Sequence, residues 1–393
     1  MVIFIVICFI VLIYTLSYQE PADKFKPEFP IEGIINIHEH IHRSSDAEKW
    51  LEAMDECEVS ATVMLGSPEV TFKLNSPPGF NNYSINNDII LYLEKKYDSK
   101  ILAFPTIDPR DPHKLEMLKD QLNRGAIGLK LFSGHTGEIY AGDKKTIYDY
   151  LGPLNRSDMY GVYEYCERNE IPIIWHIKLA WDYLYDETRA VLRDFPELIV
   201  DIPHFGVLGS NLTRLGILMD EYPGVYTDIS FGGFAYWSMQ LASNHIEQYR
   251  TFVNKYHDRI MFGTDMVVTN NIRKTVPWIV NLTMGYRDML EKEAFHINVP
   301  NITGEGFDFD MDLKGFKLSQ EKLDTIYFDN AIRFLRGKPS EPRNVSTRAI
   351  LNSYDQILDS AGTNLEFSNE ILVLDVSFNT HVKLKIYEKT LIF

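Results

Sequence analysis

The chain has 393 residues, 45% hydrophobic and 24% charged, which allows a sizeable core and argues against wholesale disorder. A formal net charge of -16, with no Lys/Arg cluster to offset it, argues against nucleic acid as a partner. Three cysteines cannot frame a chain of this length with disulfides.

The opening stretch, MVIFIVICFIVLIYTLSYQE, carries an uncharged apolar run from Val2 to about Leu16. Such a run reads as an export signal or a membrane anchor. No basic residue precedes it, the first being Lys24, and Thr15-Leu16-Ser17 would serve as a cleavage site. Residues 1–19 are assigned to this segment and 20–30 to a linker, so the protein is expected to be exported or tethered to a membrane through its N-terminus. Sequons at Asn82, Asn155, Asn211, Asn281, Asn301 and Asn344 fit export in a glycosylating host; in a bacterium they carry no meaning. Cys57 and Cys166 are expected as buried free thiols, with a bridge between them as the alternative for an exported protein.

From Ile31 to about Gly337 short apolar runs alternate with amphipathic ones. The apolar runs are 34–38, 61–65, 101–107, 126–132, 172–177, 198–205, 225–229 and 260–265. Near-continuous apolarity is what strands buried on both faces require. Helical spacing marks Asp46 to Glu56, Pro112 to Leu122, Asp186 to Phe195 and Ser319 to Leu335. Strand and helix in alternation predict a parallel sheet, and this number of strands closes a (β/α)₈ TIM barrel. An open doubly wound sheet would show a glycine-rich turn after the first strand, where this chain has His-Glu-His.

Two regions break the rhythm. Residues from about Glu293 to Lys317 include GEGFDFDMDLKGF and read as a solvated acidic loop inserted near the barrel mouth. Its alternating Asp308, Asp310 and Asp312 lack the closing glutamate of a calcium loop. The tail, 338–393, alternates in EILVLDVSF and HVKLKIYEKTLIF like a small β element.

The polar residues at the strand ends carry the chemistry. His38 and His40 lie two apart on the first strand, so both imidazoles face one side and can reach one ion. Alone, a His-x-His pair is weak evidence. His176 ends PIIWHI, His204 ends LIVDIPHF and Asp265 ends IMFGTD, each at the C-terminal end of a predicted strand, where barrel enzymes place their reactive groups. A buried polar group costs several kcal/mol unless partnered. A converging set therefore implies a shared partner, and a divalent metal supplies one.

NIHEH, IIWHI, IPHFG and FGTD resemble the amidohydrolase superfamily, in particular the amidohydrolase-related branch that includes aminocarboxymuconate-semialdehyde decarboxylase. LDTIYFDNAIRFL is similar to the helix that follows the barrel in those domains, and the resemblance spans roughly Ile31 to Gly337. It implies that His38, His40, His176 and Asp265 bind the metal, zinc first, with manganese or iron as alternatives. It further implies that His204 acts on the water or the substrate oxygen as acid/base or electrophile, and that Asp265 serves as both ligand and base. Two departures stand out. Asn36 occupies a position where the family usually has aspartate, which leaves the ligand pair intact. Lys130 lies where binuclear members carry a carboxylated lysine; it is expected to line a mononuclear pocket and bind a substrate carboxylate, with a bridge to a second ion or a salt bridge within the barrel as the alternatives.

Arg110 and His135 are further candidates for binding an anionic substrate, together with Lys130. Lys178 and Trp181 could line the pocket, and Asp228 could be a hydrogen-bonded barrel residue. The implied activity is metal-dependent hydrolysis of a small-molecule amide, ester or lactone. The alternatives are a decarboxylase on the same ligands and a catalytically silent binding barrel.

Overall fold

The computed structural model describes residues 33–340 except 74–75, 78, 134–150, 208–211, 233–234 and 301–307, and past 340 only two short strands. His135 and the N-terminal segment lie outside the described residues. The chain divides into two compact units, Met1–Ser340 and Glu341–Phe393.

In the first unit eight parallel strands follow one another: β1 Ile34–Glu39, β2 Val59–Leu65, β3 Ile101–Phe104, β4 Leu129–Phe132, β5 Ile173–His176, β6 Val200–Asp201, β7 Val225–Asp228 and β8 Ile260–Met261. Ladders join β1 to β2 to β3 and β4 through β8. Two parallel bridges, Thr106↔Lys130 and Ile41↔Val268, close the ring between these groups. The fold is the expected TIM barrel, and every predicted strand is present. The strands of the last half are shorter than the apolar runs, because those runs continue into the loops that carry the polar residues.

Alternation along the strands fills the barrel interior. Ile35, Ile37, Val63, Leu65, Leu102, Phe104, Ile174, Ile199, Tyr226 and Met261 belong to one buried cluster. Phe334 and Leu335, from the last helical stretch, pack into the same cluster. Side chains two apart on a strand share a face. Ile174 therefore leads to His176, Ile199 to Asp201 and Tyr226 to Asp228, one layer nearer the C-terminal rim. In β1 the register shifts between Asn36 and Glu39, so a strand with Ile35 and Ile37 inside still presents His38 and His40.

The helices lie where their periodicity places them. Ala47–Glu56 buries Ala47, Trp50, Ala53 and Met54, and Lys114–Asn123 buries Leu118 and Leu122. Asp182–Asp194 begins a turn earlier than the predicted Asp186, with Asp182 in its first turn. Residues 320–335 are helical throughout but widen into a π turn at Thr325–Asp329. There the buried Asn330 donates to the carbonyls of His257 and Ile260, each at 2.7 Å, which locks this segment onto the start of β8.

Two expectations are corrected. The region from Glu293 to Lys317 is not a plain loop: β9 (Ala294–Val299) and β10 (Phe309–Lys314) pair antiparallel, Phe309 against Val299 and Lys314 against Ala294. Phe295, Ile297, Val299 and Leu313 are buried, and Asp310 and Asp312 occupy the solvent face of the ladder. The aspartates hid the period-two pattern of an amphipathic strand. Cys57 and Cys166 are buried and free, so the alternative bridge does not form.

In the second unit β11 (Leu365–Ser368) pairs antiparallel with β12 (Ile371–Leu374). The hairpin thus joins ILVL to the segment before it, and HVKLKIYEKTLIF lies outside the described residues. Among the described residues no helix is long and apolar enough to cross a membrane.

Candidate metal centre

The loops after β6 and β8 bring His204 and Asp265 toward the β1 histidines through backbone that few residues adopt. His204, Phe205, Gly206 and Val207 all have positive φ, a single left-handed turn, and Asp265 and Val267 have φ of 57° and 55°. For a non-glycine residue this conformation costs roughly 1–2 kcal/mol. Gly232 clears the way, because a Cβ there would sit 2.3 Å from the Asp265 carbonyl.

Asp265 is the hub. Its Oδ1 lies 3.3 Å from His40 Nε2 and 3.9 Å from His38 Nε2, and its Oδ2 lies 3.8 Å from His204 Nε2. The His176 ring stands 5.3 Å from that of His204. The predicted residues His38, His40, His176, His204 and Asp265 are therefore brought together. Among the described residues, His38, His204 and Asp265 have ligand atoms within 4.8 Å of one another, and so do His38, Asp201 and Asp228. His40 flanks the first group at Asp265, and His176 flanks it at His204.

Hydrogen bonding fixes which nitrogen each histidine offers. His38 Nδ1 lies 2.7 Å from Asp228 Oδ2. His40 Nδ1 lies 2.6 Å from Ser67 Oγ, whose proton goes to the Leu65 carbonyl. His204 Nδ1 lies 2.6 Å from the Ser230 carbonyl and 2.9 Å from Ser230 Oγ, whose proton goes to Asp228. On this network all three carry the proton on Nδ1 and aim a bare Nε2 at Asp265. Burial keeps the rings neutral: His38 is lowered to about 3 by burial and then Lys130, and His204 to about 4 by burial despite Asp228.

The carboxylates divide. Burial alone would raise Asp228, yet the His38 ring beside it, the His204 side and the Ser230 hydroxyl hold it low and ionised. It also accepts the backbone N–H groups of His204 and Ser230, at 3.0 and 2.9 Å. Asp201 is raised well up by burial and by the neighbouring Asp228, and Asp265 by burial and by Glu39. Lys130 sits among them with Nζ 3.5 Å from His38 Nε2, pulled down to about 8 by burial against the pull of Asp265, Asp228 and Asp201.

The donor set fits a divalent cation. Bare imidazole nitrogens converge on a carboxylate that burial would otherwise force to keep its proton, and a cation relieves both demands.

Arg110 is exposed and forks onto Asp108 at 3.0 and 2.8 Å. Lys178 stacks over the Trp181 ring at 4.8 Å. Asp228 is more than a barrel hydrogen-bonding residue, since it fixes His38. Sequence reasoning missed Asp201, Ser67 and Ser230. Asp201 had a signal, a lone carboxylate inside the apolar run LIVDIPHF; the serines had none.

A closed parallel barrel with histidines and a carboxylate at its C-terminal rim defines a class of metal-dependent enzymes. Residues 35–337 match the family model described as amidohydrolase, and the chain belongs to that family, whose members are metal-dependent hydrolases or decarboxylases. No curated protein matches the chain. Solved structures similar to it include 2,6-dihydroxybenzoate decarboxylase from Rhizobium, at 14% identity and TM-score 0.47, covering 78% of this chain and 99% of that one. A putative 2-pyrone-4,6-dicarboxylic acid hydrolase from Pseudomonas putida is similar at 14% identity and TM-score 0.49, covering 78% and 97%. For 5-carboxyvanillate decarboxylase from Sphingomonas paucimobilis the values are 11% and 0.44, covering 77% and 98%.

Proposed function

We propose that the chain hydrolyses an amide, ester or lactone bond in a small molecule, with one divalent ion, zinc first, held by His38, His40, His176 and Asp265. The observation that carries this reading is Asp265. Its side chain is 18% exposed, whereas those of His38, His204 and Asp228 are at most 3% exposed, so it is the carboxylate of the cluster with access to incoming water.

When bound, the ion would polarise a carbonyl oxygen and bring the pKa of a water toward neutrality. Asp265 would help hold the ion, and its carboxylate would serve as the base that passes a proton to the departing nitrogen or oxygen. His204 carries a lone pair at Nε2, so in its neutral form it accepts a proton and has none to offer a developing oxyanion. On that ground we read His204 as acid/base through Nε2 or as a further ligand, rather than as an electrophile. Lys130 Nζ, a buried cation beside His38, holds an anionic group of the substrate.

Metal content by mass spectrometry, with lactone, amide and ester turnover measured beside carbon dioxide release from aromatic carboxylates, tests the reading. Bound metal that His176→Ala diminishes, together with hydrolysis that Asp265→Asn abolishes, is the expected result. Carbon dioxide release without hydrolysis would replace it with the decarboxylase. Negligible metal in both proteins would leave a binding barrel.

A further inference from the structure

Asp265 stands on backbone that two buried charges grip from opposite sides. Glu39, fully buried between the two β1 histidines, accepts the N–H of Met266 at 3.0 Å on Oε2 and the N–H of Val267 at 2.8 Å on Oε1. The same carboxylate takes the Thr264 hydroxyl at 2.9 Å and the His40 N–H at 2.8 Å. Lys274, also buried, donates its Nζ to the carbonyls of Met266 and Val267, at 2.9 and 2.7 Å. The N–H groups of two consecutive residues thus end on a carboxylate, and their carbonyls end on an ammonium.

This stretch needs holding. Asp265 and Val267 both lie in the left-handed region, where a β-branched valine is a genuine outlier. Such backbone persists only where its surroundings over-determine it, and here those surroundings are two side chains that β1 and the loop after β8 supply. Glu39 also fixes the backbone of His40, so one carboxylate registers both partners of the 3.3 Å contact between His40 and Asp265.

We propose that Glu39 and Lys274 are paired positioning residues that clamp the 264–267 loop and preset the Asp265 carboxylate for the divalent ion. The inference rests on the reading of Asp265 as a metal ligand. Fixed ligands bind more tightly than mobile ones because less ordering remains to be done on binding.

Titration of the metal-free full chain with Co²⁺, followed by visible absorption, tests it, since band position and intensity report ligand geometry independently of turnover. Glu39→Gln places an amide N–H₂ against a backbone N–H, and Lys274→Met frees two carbonyls. Each is expected to weaken Co²⁺ binding roughly 10–100-fold and to change the spectrum, the scale seen when outer partners of metal ligands are removed. Lys274→Arg recovers most of the affinity. The double variant falls short of the product of the single losses, because both grip the same two peptides. Wild-type affinity and spectrum in Glu39→Gln and Lys274→Met, with binding lost in Asp265→Asn, would overturn the clamp and leave the metal site standing. Unchanged binding in Asp265→Asn would overturn the site and the clamp with it. Should Glu39→Gln fail to fold, the contrast between Lys274→Met and Lys274→Arg decides.

Discussion

Asp228 Oδ2 accepts the Nδ1 proton of His38 across 2.7 Å, a buried pair that joins the seventh strand to the first around the closed barrel. The pair decides what His38 can do. With its proton committed to Asp228, the ring has only a lone pair to offer on the side of Asp265.

Asp228→Asn tests that dependence. An amide can meet His38 with N–H, which forces the proton to Nε2 and removes the lone pair. Metal affinity, measured by competition with a chelator, should fall roughly 10–100-fold while the barrel remains folded. Unchanged affinity would show that Asp228 does not set the tautomer.

Ser230→Ala should do much less. The Ser230 carbonyl still accepts from His204 Nδ1 at 2.6 Å, so the tautomer survives, and Asp228 loses one donor among several. We expect a change in metal affinity below about tenfold, less than the loss of a ligand's main partner brings. A loss as large as that of Asp228→Asn would mean that the hydroxyl, not the carbonyl, holds His204.

Gly263→Ala presses directly on the site. A Cβ at that position would lie 3.1 Å from His38 Cβ, 3.2 Å from Ser230 Cβ and 3.4 Å from Asp228 Cγ. Overpacking of this kind costs typically about 1–3 kcal/mol. Urea unfolding should show that loss, and metal binding should weaken with it because His38 and Asp228 are pushed apart. A variant as stable as wild type would place more room around Gly263 than these distances allow.

Away from the site, Glu94 provides a test of pH dependence. Burial raises its carboxyl to about 8, opposed by the Ala103 N–H that donates to it at 3.2 Å. Between about 4.5, where the unfolded chain releases this proton, and about 8, the folded state holds a proton that the unfolded state lacks. Stability from this group is therefore complete below the lower value and lost as pH rises through the upper one. Glu94→Gln should flatten that part of the curve and leave the variant relatively more stable than wild type near pH 8. Parallel urea midpoints for the two proteins across the range would refute this prediction.

The barrel was legible in the sequence because its strands are buried on both faces and its helices on one, and each condition leaves its own period. The histidines and Asp265 were legible for a related reason: a polar residue ending an apolar run stands out from its neighbours. The β9–β10 hairpin was not, since Asp310 and Asp312 on its solvent face, with Asp308 just before it, look like an acidic loop until Phe309, Met311 and Leu313 are seen packed on the core. Arg110 adds a contact that its position after a strand end does not announce, since Asp108, two residues away, pairs with its guanidinium.

By itself the sequence determined the eight-stranded alternation and the residues of the rim, because burial and periodicity are properties of each segment taken alone. Tertiary structure alone decided the rest: which nitrogen each histidine presents, that Asp228 and Ser230 fix two of them, that His204 joins His38 and Asp265, and that Glu39 and Lys274 share one loop. Those facts depend on hydrogen bonds between residues such as His38 and Asp228, 190 positions apart in the chain, and no local pattern records which donors and acceptors the closed ring will bring face to face.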